Sequence, residues 1–225
     1  MEVTLAAQKP RVAARPLAPL KLEQLGLMAE IFGAAFQDDP LLKFIEPNAQ
    51  KRAVVSPYIY ASVLRYCQQF GQVDCSIDGM AAAAWLAPNH CYPSLLRELR
   101  VGMGMLPIKL GLTAFNRLQE FDILANKMRR KFAPVTHWYL WGLAVEPGMQ
   151  RKGLARVLLN SVLQKADRAG ESIYLETQNP NNVVVYERFG FRIVGIGNLR
   201  QGGVTLHAMR RDPKIASNTQ ISSAA

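Results

Sequence analysis

The spacing of apolar residues along the chain predicts alternating helices and strands. Two segments have apolar positions at helical spacing: residues 22–36 and residues 50–69. Pro57 is a potential interruption of the second helix. The dipeptide Asp78-Gly79 is typical of a two-residue hairpin turn, and it separates two apolar segments, residues 71–77 and residues 80–87. We therefore expect an antiparallel hairpin there, although the alanine run in its second half favours a helix by propensity alone. Residues 17–20 are a candidate first strand.

The second half of the chain predicts a strand–helix–strand unit. Residues 93–131 are mostly helical in pattern, with a break expected near Pro107. His137–Val145 is apolar on both faces, as expected of a central strand covered on both sides. A helix over residues 153–169 and a strand over Ser172–Thr177 follow it. Such a crossover places the two strands parallel.

A short helix and two closing strands complete the prediction. Asn179 has the character of a helix cap and Pro180 suits the first helical position. Residues 191–195 and 204–209 are the closing strands. We expect a mixed α/β (α+β) fold with one domain over residues 17–212. A flexible basic tail (residues 1–16) precedes this domain, and a polar tail (residues 213–225) follows it.

Composition narrows the class of protein. The chain has 225 residues, of which 49% are hydrophobic and 20% charged, typical of a soluble globular protein. No apolar stretch approaches the roughly 20 residues needed to cross a bilayer. The three cysteines form no C-x-x-C pair and the three histidines show no ligand spacing, so we expect reduced thiols, no metal site and a cytoplasmic location. A basic N-terminal targeting segment stays open.

The loop after the apolar strand is a candidate anion-binding site. A helix that opens near Gly153 presents unpaired N–H groups and the positive end of its dipole. Gly153 and Ala155 let a phosphate approach the backbone closely, and Arg151 and Lys152 add positive charge. Neither the P-loop pattern nor the dinucleotide-binding G-x-G-x-x-G pattern is present.

Two motifs resemble those of a known family. The spacing Gln150-x-x-Gly153-x-Ala155 resembles the Q/R-x-x-G-x-G/A signature of the GNAT superfamily of acyl-CoA-dependent N-acetyltransferases. Downstream, Tyr186-Glu-Arg-Phe-Gly-Phe191 resembles the family's second signature. Together they cover roughly the last third of the chain. Arg151 departs from the pattern, since relatives often have glycine there, so its backbone contact is the least certain.

The resemblance implies a GNAT fold, a twisted mixed central sheet whose parallel strands splay apart, flanked by helices. It also implies acetyl-CoA as co-substrate, without a metal. The coenzyme would be held by residues of the central strand, the loop and the short helix: Leu143, Ala144, Val145, Gln150, Arg151, Lys152, Gly153, Leu154, Ala155, Arg156, Asn181 and Asn182.

Catalytic roles are assigned to two residues. Tyr186 is the expected general acid, since a phenol stays protonated at neutral pH and can donate to a departing thiolate. Glu176 is the expected general base, drawing the proton of the amine through water. Glu120, Asp122, Asp38 and Asp39 are rival bases, whereas His137 is interpreted as structural.

The acceptor pocket is predicted from weaker signals. Phe36-x-Asp-Asp-Pro40 and Ala84-Trp-Leu-Ala-Pro88 resemble segments of members related to puromycin N-acetyltransferases. Phe36 and Trp85 are therefore candidate pocket residues, with core packing an equal alternative for Trp85. Residues 101–112 are either a pliable lid or an ordinary buried helix.

These observations predict an enzyme that transfers an acetyl group from acetyl-CoA to a primary amine by direct attack in a ternary complex. The alternative is a non-catalytic acyl-CoA-binding sensor or docking module. The net charge of +10 is spread along the chain, so a nucleic-acid partner is not favoured over an anionic coenzyme. The expected partner is an amine acceptor, with no membrane, and the protein is a monomer or homodimer.

Overall fold

A seven-stranded mixed sheet forms the centre of the molecule. The computed structural model describes residues 16–200 and 203–214. The strands are β1 (Leu17–Pro19), β2 (Gly71–Ser76), β3 (Ala81–Leu86), β4 (His137–Val145), β5 (Ser172–Thr177), β6 (Arg192–Asn198) and β7 (Thr205–Arg211). Their order across the sheet is β1-β2-β3-β4-β5-β7-β6. Strands β4 and β5 pair in parallel at its centre, and the other neighbours pair antiparallel.

Six helices lie on one face of the sheet. They are α1 (Leu25–Ala35), α2 (Pro40–Ile45), α3 (Ala49–Phe70), α4 (Leu95–Arg100), α5 (Leu106–Leu110) and α6 (Leu112–Phe132). Their apolar residues and alternate residues of β3, including Ala82 and Ala84, form the larger core. Helix α6 reaches across to β6, where Gly195 and Gly197 leave room for its side chains. The segment from α4 to α6 therefore closes this face.

Two helices cover the other face. They are α7 (Leu154–Ala169) and α8 (Pro180–Glu187). Leu158, Leu159 and Val162 of α7 are fully buried against Ala83 and Trp85 of β3. This helix has its apolar residues on one stripe, so burial of that stripe fixes its orientation on the sheet. Gly170 ends it in the left-handed conformation, with φ of 68°.

Most of the elements expected from the sequence are present. The hairpin at Asp78-Gly79, the bounds of β4 and β5, their parallel pairing and the Asn179 cap of α8 are confirmed. Helix α3 continues through Pro57 without a break. The predicted break near Pro107 is confirmed, because α4 ends at Arg100 and α5 begins at Leu106. Pro107 itself lies in the first turn of α5, where a missing N–H is harmless, and the chain turns at Gly102 and Gly111, both with positive φ.

One helix was missed, and the two tails stay predictions. Helix α2 begins where the sequence analysis ended the first helix, because Asp39 caps it through a 2.9 Å bond from the Leu41 N–H. The tails lie outside the described residues except for Pro16, Pro213 and Lys214. Within the described ranges, no helix is both long enough and apolar enough to cross a membrane.

Candidate functional site

The two central strands separate at their carboxyl ends. Pairing between β4 and β5 extends from His137 with Ser172 to Leu140 with Leu175. Residues 141–145 of β4 extend past the last of these pairs, and Glu176 and Thr177 of β5 pair with β7 on their other side. The sheet therefore opens between β4 and β5, with backbone groups on the facing edges left for another partner.

A β-bulge in β4 lies at this opening. The register with β3 passes from Trp85 with Leu140 to Ala84 with Gly142, which leaves Trp141 as the extra residue. Bulges re-aim side chains and are frequent next to active sites. Here Leu143 follows the bulge and lines the cavity described below.

The loop after β4 leads into the amino-terminal end of α7. Gly153 caps this helix with φ of 85°, and its carbonyl accepts hydrogen bonds from the N–H groups of Arg156 and Val157. The preceding N–H groups, of Leu154 and Ala155, are at positions that have no acceptor within a helix. The loop is braced by Gln150, which donates to the Val145 carbonyl at 3.3 Å, and by Lys152, which donates to the Gly148 carbonyl at 3.0 Å.

Arg151 has an unusual backbone conformation. Its φ of 62° is the one positive value among non-glycine residues in residues 16–200 and 203–214. A side chain in this left-handed region costs about 1 kcal/mol or more, which glycine avoids. Arg151 therefore stands where the family signature often has glycine and where the backbone geometry also favours glycine. The surrounding loop holds the arginine in this conformation.

A cavity of about 380 Å³ extends from the strand opening into the helical face. At the opening it is lined by Leu143, Thr177, Asn182 and Tyr186. Further in, side chains of α2 to α6 form its walls, together with Phe36, which follows the end of α1. A cavity of this size suits a small-molecule ligand. The opening lies toward the carboxyl end of β4, from which the loop leads to the start of α7.

Comparison with known proteins agrees with this arrangement. Residues 109–191 match the model of the acetyltransferase (GNAT) family. An uncharacterized N-acetyltransferase of Schizosaccharomyces pombe is 28% identical over 201 residues, which cover 84% of this chain and 79% of the relative.

Through residues 109–191 the chain is similar to the GNAT superfamily of acetyltransferases. It is an acyltransferase enzyme. The matched region of the GNAT model contains α6, both central strands and α7. The resemblance to the puromycin N-acetyltransferase subgroup stays a prediction.

Solved structures support the GNAT fold. Histone acetyltransferase HPA2 and related acetyltransferase from Corynebacterium glutamicum superposes with a TM-score of 0.62 at 20% identity, over 89% of this chain and 97% of that chain. Arylalkylamine N-acetyltransferase 2 from Aedes aegypti gives 0.62 at 14% identity, over 88% of this chain and 99% of that chain. At these identities the likeness concerns the fold.

Tyr186 lies at the mouth of the cavity. Helix α8 presents it on the same side as Asn182, whose side chain donates to the Thr177 hydroxyl at 3.4 Å. Asn181 is exposed. Burial, with a smaller contribution from the charge of Asp39, raises the pKa of Tyr186 above its usual value. The phenol is therefore fully protonated at neutral pH.

Glu176 lies on the floor of the cavity beside a buried arginine. Its side chain is 1% exposed, and Oε1 is 3.6 Å from Nε of Arg129. The Arg129 guanidinium carbon lies 3.6 Å from the ring centroid of Tyr139, and the group also donates to the Cys91 carbonyl. Burial raises the pKa of Glu176, and Arg129 opposes that rise. Tyr139 and Tyr174 lie close enough to interact with the carboxylate as well, and their hydrogen bonding also lowers the pKa of Glu176.

Two rival carboxylates also line this cavity. Asp39 is 8% exposed, and burial raises its pKa to about 6. Asp122 on α6 has its pKa raised to about 7, again chiefly by burial. The other two rivals lie elsewhere: Asp38 is exposed and pairs with Lys43 at 2.9 Å, and Glu120 accepts from the Arg200 N–H at 2.7 Å.

Trp85 is not part of the cavity lining. It is fully buried beneath α7, because the strand alternation puts it on the face opposite α1 and α3. Its assignment to the acceptor pocket was therefore wrong, and its alternative, core packing, is what the structure has. His137 is also fully buried, with Nδ1 2.7 Å from the Pro134 carbonyl.

Arg129 is the residue that the sequence analysis missed. It is 3% exposed although it stands in a run of basic residues at the end of α6. A signal did exist, since Leu118, Asp122, Ala125 and Arg129 share one face of the helix. Charged residues on a predicted buried face are expected to be paired. Within the described residues, no cluster with metal-ligating potential is present.

Proposed function

We propose that this enzyme transfers an acetyl group from acetyl-CoA to a primary amine, by direct attack while both are bound. The observation that carries the proposal is the opening between β4 and β5, which joins the start of α7 to the cavity containing Tyr186 and Glu176. A donor with an anionic end and a long narrow arm fits that path. We also propose a cytoplasmic location, in keeping with three buried unpaired thiols: Cys67, Cys75 and Cys91.

The residues at the opening fit an acyl-CoA. The free N–H groups at the start of α7, with Arg151, Lys152 and Arg156 around them, suit the pyrophosphate. The unpaired edge at Leu143, Ala144 and Val145 offers backbone groups to the pantetheine amides. When bound, the coenzyme supplies the acyl group as a thioester.

Tyr186 is proposed as the general acid. Its raised pKa keeps the hydroxyl protonated until a thiolate leaves, and a thiolate can then take this proton. The C–S bond breaks as the new C–N bond forms. Asn182, one turn earlier on α8, orients the same region of the site.

Glu176 is proposed as the general base, acting through water. Burial raises its pKa above that of an exposed glutamate, which favours uptake of a proton, and its side chain lines the cavity. Arg129 opposes that rise. Asp122 is the alternative base, since it lines the same cavity.

The first experiment is an assay of amine-dependent thiol release, run beside calorimetric titration of acetyl-CoA. Tyr186→Phe is expected to lower kcat by about 10²-fold or more while the coenzyme Kd changes little. The matched control is Tyr58→Phe, because Tyr58 is half-exposed on α3 and contacts Lys109.

Unchanged turnover in Tyr186→Phe would remove the acid role. Binding of acetyl-CoA without thiol release for any amine would favour the sensor alternative. Absence of coenzyme binding would reject the proposed donor.

A further inference from the structure

The residues that line the inner part of the cavity indicate which kind of ligand it can bind. Its walls are mostly apolar, and Ile59, Val63, Leu106, Phe115, Leu118 and Phe121 are among them. The volume of about 380 Å³ is toward the lower end of the range for small-molecule sites. A ligand here must therefore have an apolar portion that gains by burial.

The charged groups that line the cavity are mainly acidic, in contrast to the +10 charge of the whole chain. Four carboxylates, those of Asp39, Glu98, Asp122 and Glu176, face one cation, Arg129. Since Arg129 lies against Glu176, the remaining carboxylates leave an excess of negative charge. Such a lining attracts a cation and repels an anionic acceptor.

One of these carboxylates lines the same cavity as the proposed general acid. Asp39, Tyr60 and Tyr186 are all part of its lining. The rings of Phe36 and Tyr60 stack with centroids 5.2 Å apart and line the same wall. A carboxylate next to aromatic faces is a favourable environment for an ammonium ion.

The helical segment over the cavity limits the size of the acceptor. Leu95, Leu99, Met103 and Pro107, from α4 to α5, line the side opposite the sheet. A peptide chain would have to displace this segment in order to enter. The part of the cavity lined by Asp122 does not offer a second strong cation site. Burial raises the pKa of Asp122 to about 7, so this carboxyl is only partly ionised at neutral pH, and the positive charge of Arg129 acts on it as well.

We propose that the acceptor is a small apolar monoamine, bound with its ammonium at Asp39 beside Phe36 and Tyr60 and with its apolar body between α3 and α6. This inference rests on the proposed function, since the bound amine must lie within reach of the acyl donor. Asp39 thereby positions the nitrogen next to Tyr186. Glu176 lines the same cavity, and a water between it and the amine would carry the proton away.

The test compares acceptors and one substitution. Thiol release is measured with 2-phenylethylamine, spermidine and a lysine-containing peptide at fixed acetyl-CoA. We expect kcat/KM to be highest for 2-phenylethylamine. In Asp39→Asn this value should fall by about tenfold or more, chiefly through KM, because a charge-assisted contact is lost. Asparagine caps helices as well as aspartate does, so α2 is kept.

Asp38→Asn is the matched control. Asp38 neighbours the target residue, is 86% exposed at its side chain and pairs with Lys43 outside the cavity. It should leave kcat/KM for 2-phenylethylamine within about twofold of the wild type.

The outcomes separate this proposal from the one on which it rests. Preference for spermidine or the peptide, or an Asp39→Asn enzyme with unchanged KM, would overturn the acceptor assignment while leaving acetyl transfer in place. Absence of thiol release with every amine would reject the proposed function itself. The acceptor comparison uses the wild-type protein and so does not depend on how the variant folds.

Discussion

Removing Arg129 is expected to destabilise the fold strongly, and the effect can be worked out from its contacts. Arg129→Met removes the ion pair at 3.6 Å, the bond to the Cys91 carbonyl and the contact with the Tyr139 ring. Glu176, 1% exposed at its side chain, is then a buried charge without compensation. Breaking a buried pair in this way costs about 3–5 kcal/mol. That is a large part of the roughly 5–15 kcal/mol by which most domains are stable.

A double-mutant cycle isolates the contribution of the carboxylate. Glu176→Gln removes the charge but keeps the shape, so Arg129→Met/Glu176→Gln should be more stable than Arg129→Met alone. The expected coupling is about 2 kcal/mol, within the range for contacting residues. The measurement is the free energy of unfolding in urea. Arg130→Met is the control, because Arg130 is exposed over the Tyr92 ring and should change stability by about 0.5 kcal/mol or less.

The pH dependence of the free energy of unfolding provides a second test of the Arg129–Glu176 interaction. Burial raises the pKa of Glu176, and Arg129 is the first opposing influence. Without the arginine the folded state holds the carboxyl protonated at a pH where the unfolded state ionises it. The stability of Arg129→Met should therefore fall as pH rises above the unfolded value of about 4.5, so its deficit against the wild type is larger at pH 8 than at pH 5. Additive single effects, or a deficit independent of pH, would refute this reasoning.

Two further predictions concern stability elsewhere in the chain. Burial lowers the pKa of His137 to about 4 from 6.5, so the unfolded state takes up the proton first and stability is lost as pH falls from about 6.5 toward 4. Between pH 7 and pH 5 this amounts to about 2 kcal/mol, which His137→Phe should abolish in urea titrations; an equal slope in the variant would contradict it. Arg151→Gly should raise the free energy of unfolding by up to about 1 kcal/mol, since it relieves a positive φ. Lys152→Gly, which makes the same charge change beside it, should lower the free energy of unfolding by a similar amount; equal effects of the two would show that φ at Arg151 is not the cause.

The elements that the sequence predicted well are those governed by local chemistry. The Asp78-Gly79 turn, the Asn179 cap with Pro180 and the two-sided apolar strand β4 each depend on residues close together in the chain. The conformational preferences of such segments are set by sterics and hydrogen bonds within a few residues. The loop at Gly153 belongs to the same class, since its glycine and the following helix are adjacent.

The error before α2 arose where two local rules compete. A proline can end a helix or occupy its first turn, and the chain uses the second option at both Pro40 and Pro107. Only the packing of α2 and α5 against α6 shows which applies. The direction of the Trp85 side chain was also undetermined by local sequence. Strand β3 is apolar on both faces, so its residue pattern does not show which face Trp85 is on.

By itself, the sequence determined the fold class, the order of most elements and the helix start at Gly153, because these depend on near neighbours and on two family motifs. The tertiary structure alone decided that Arg129 meets Glu176, that β4 and β5 part after Leu140, and that Asp39 and Tyr186 line one cavity. These contacts join residues far apart in the chain. Their energies come from burial and charge that exist only after the helices have packed on the sheet.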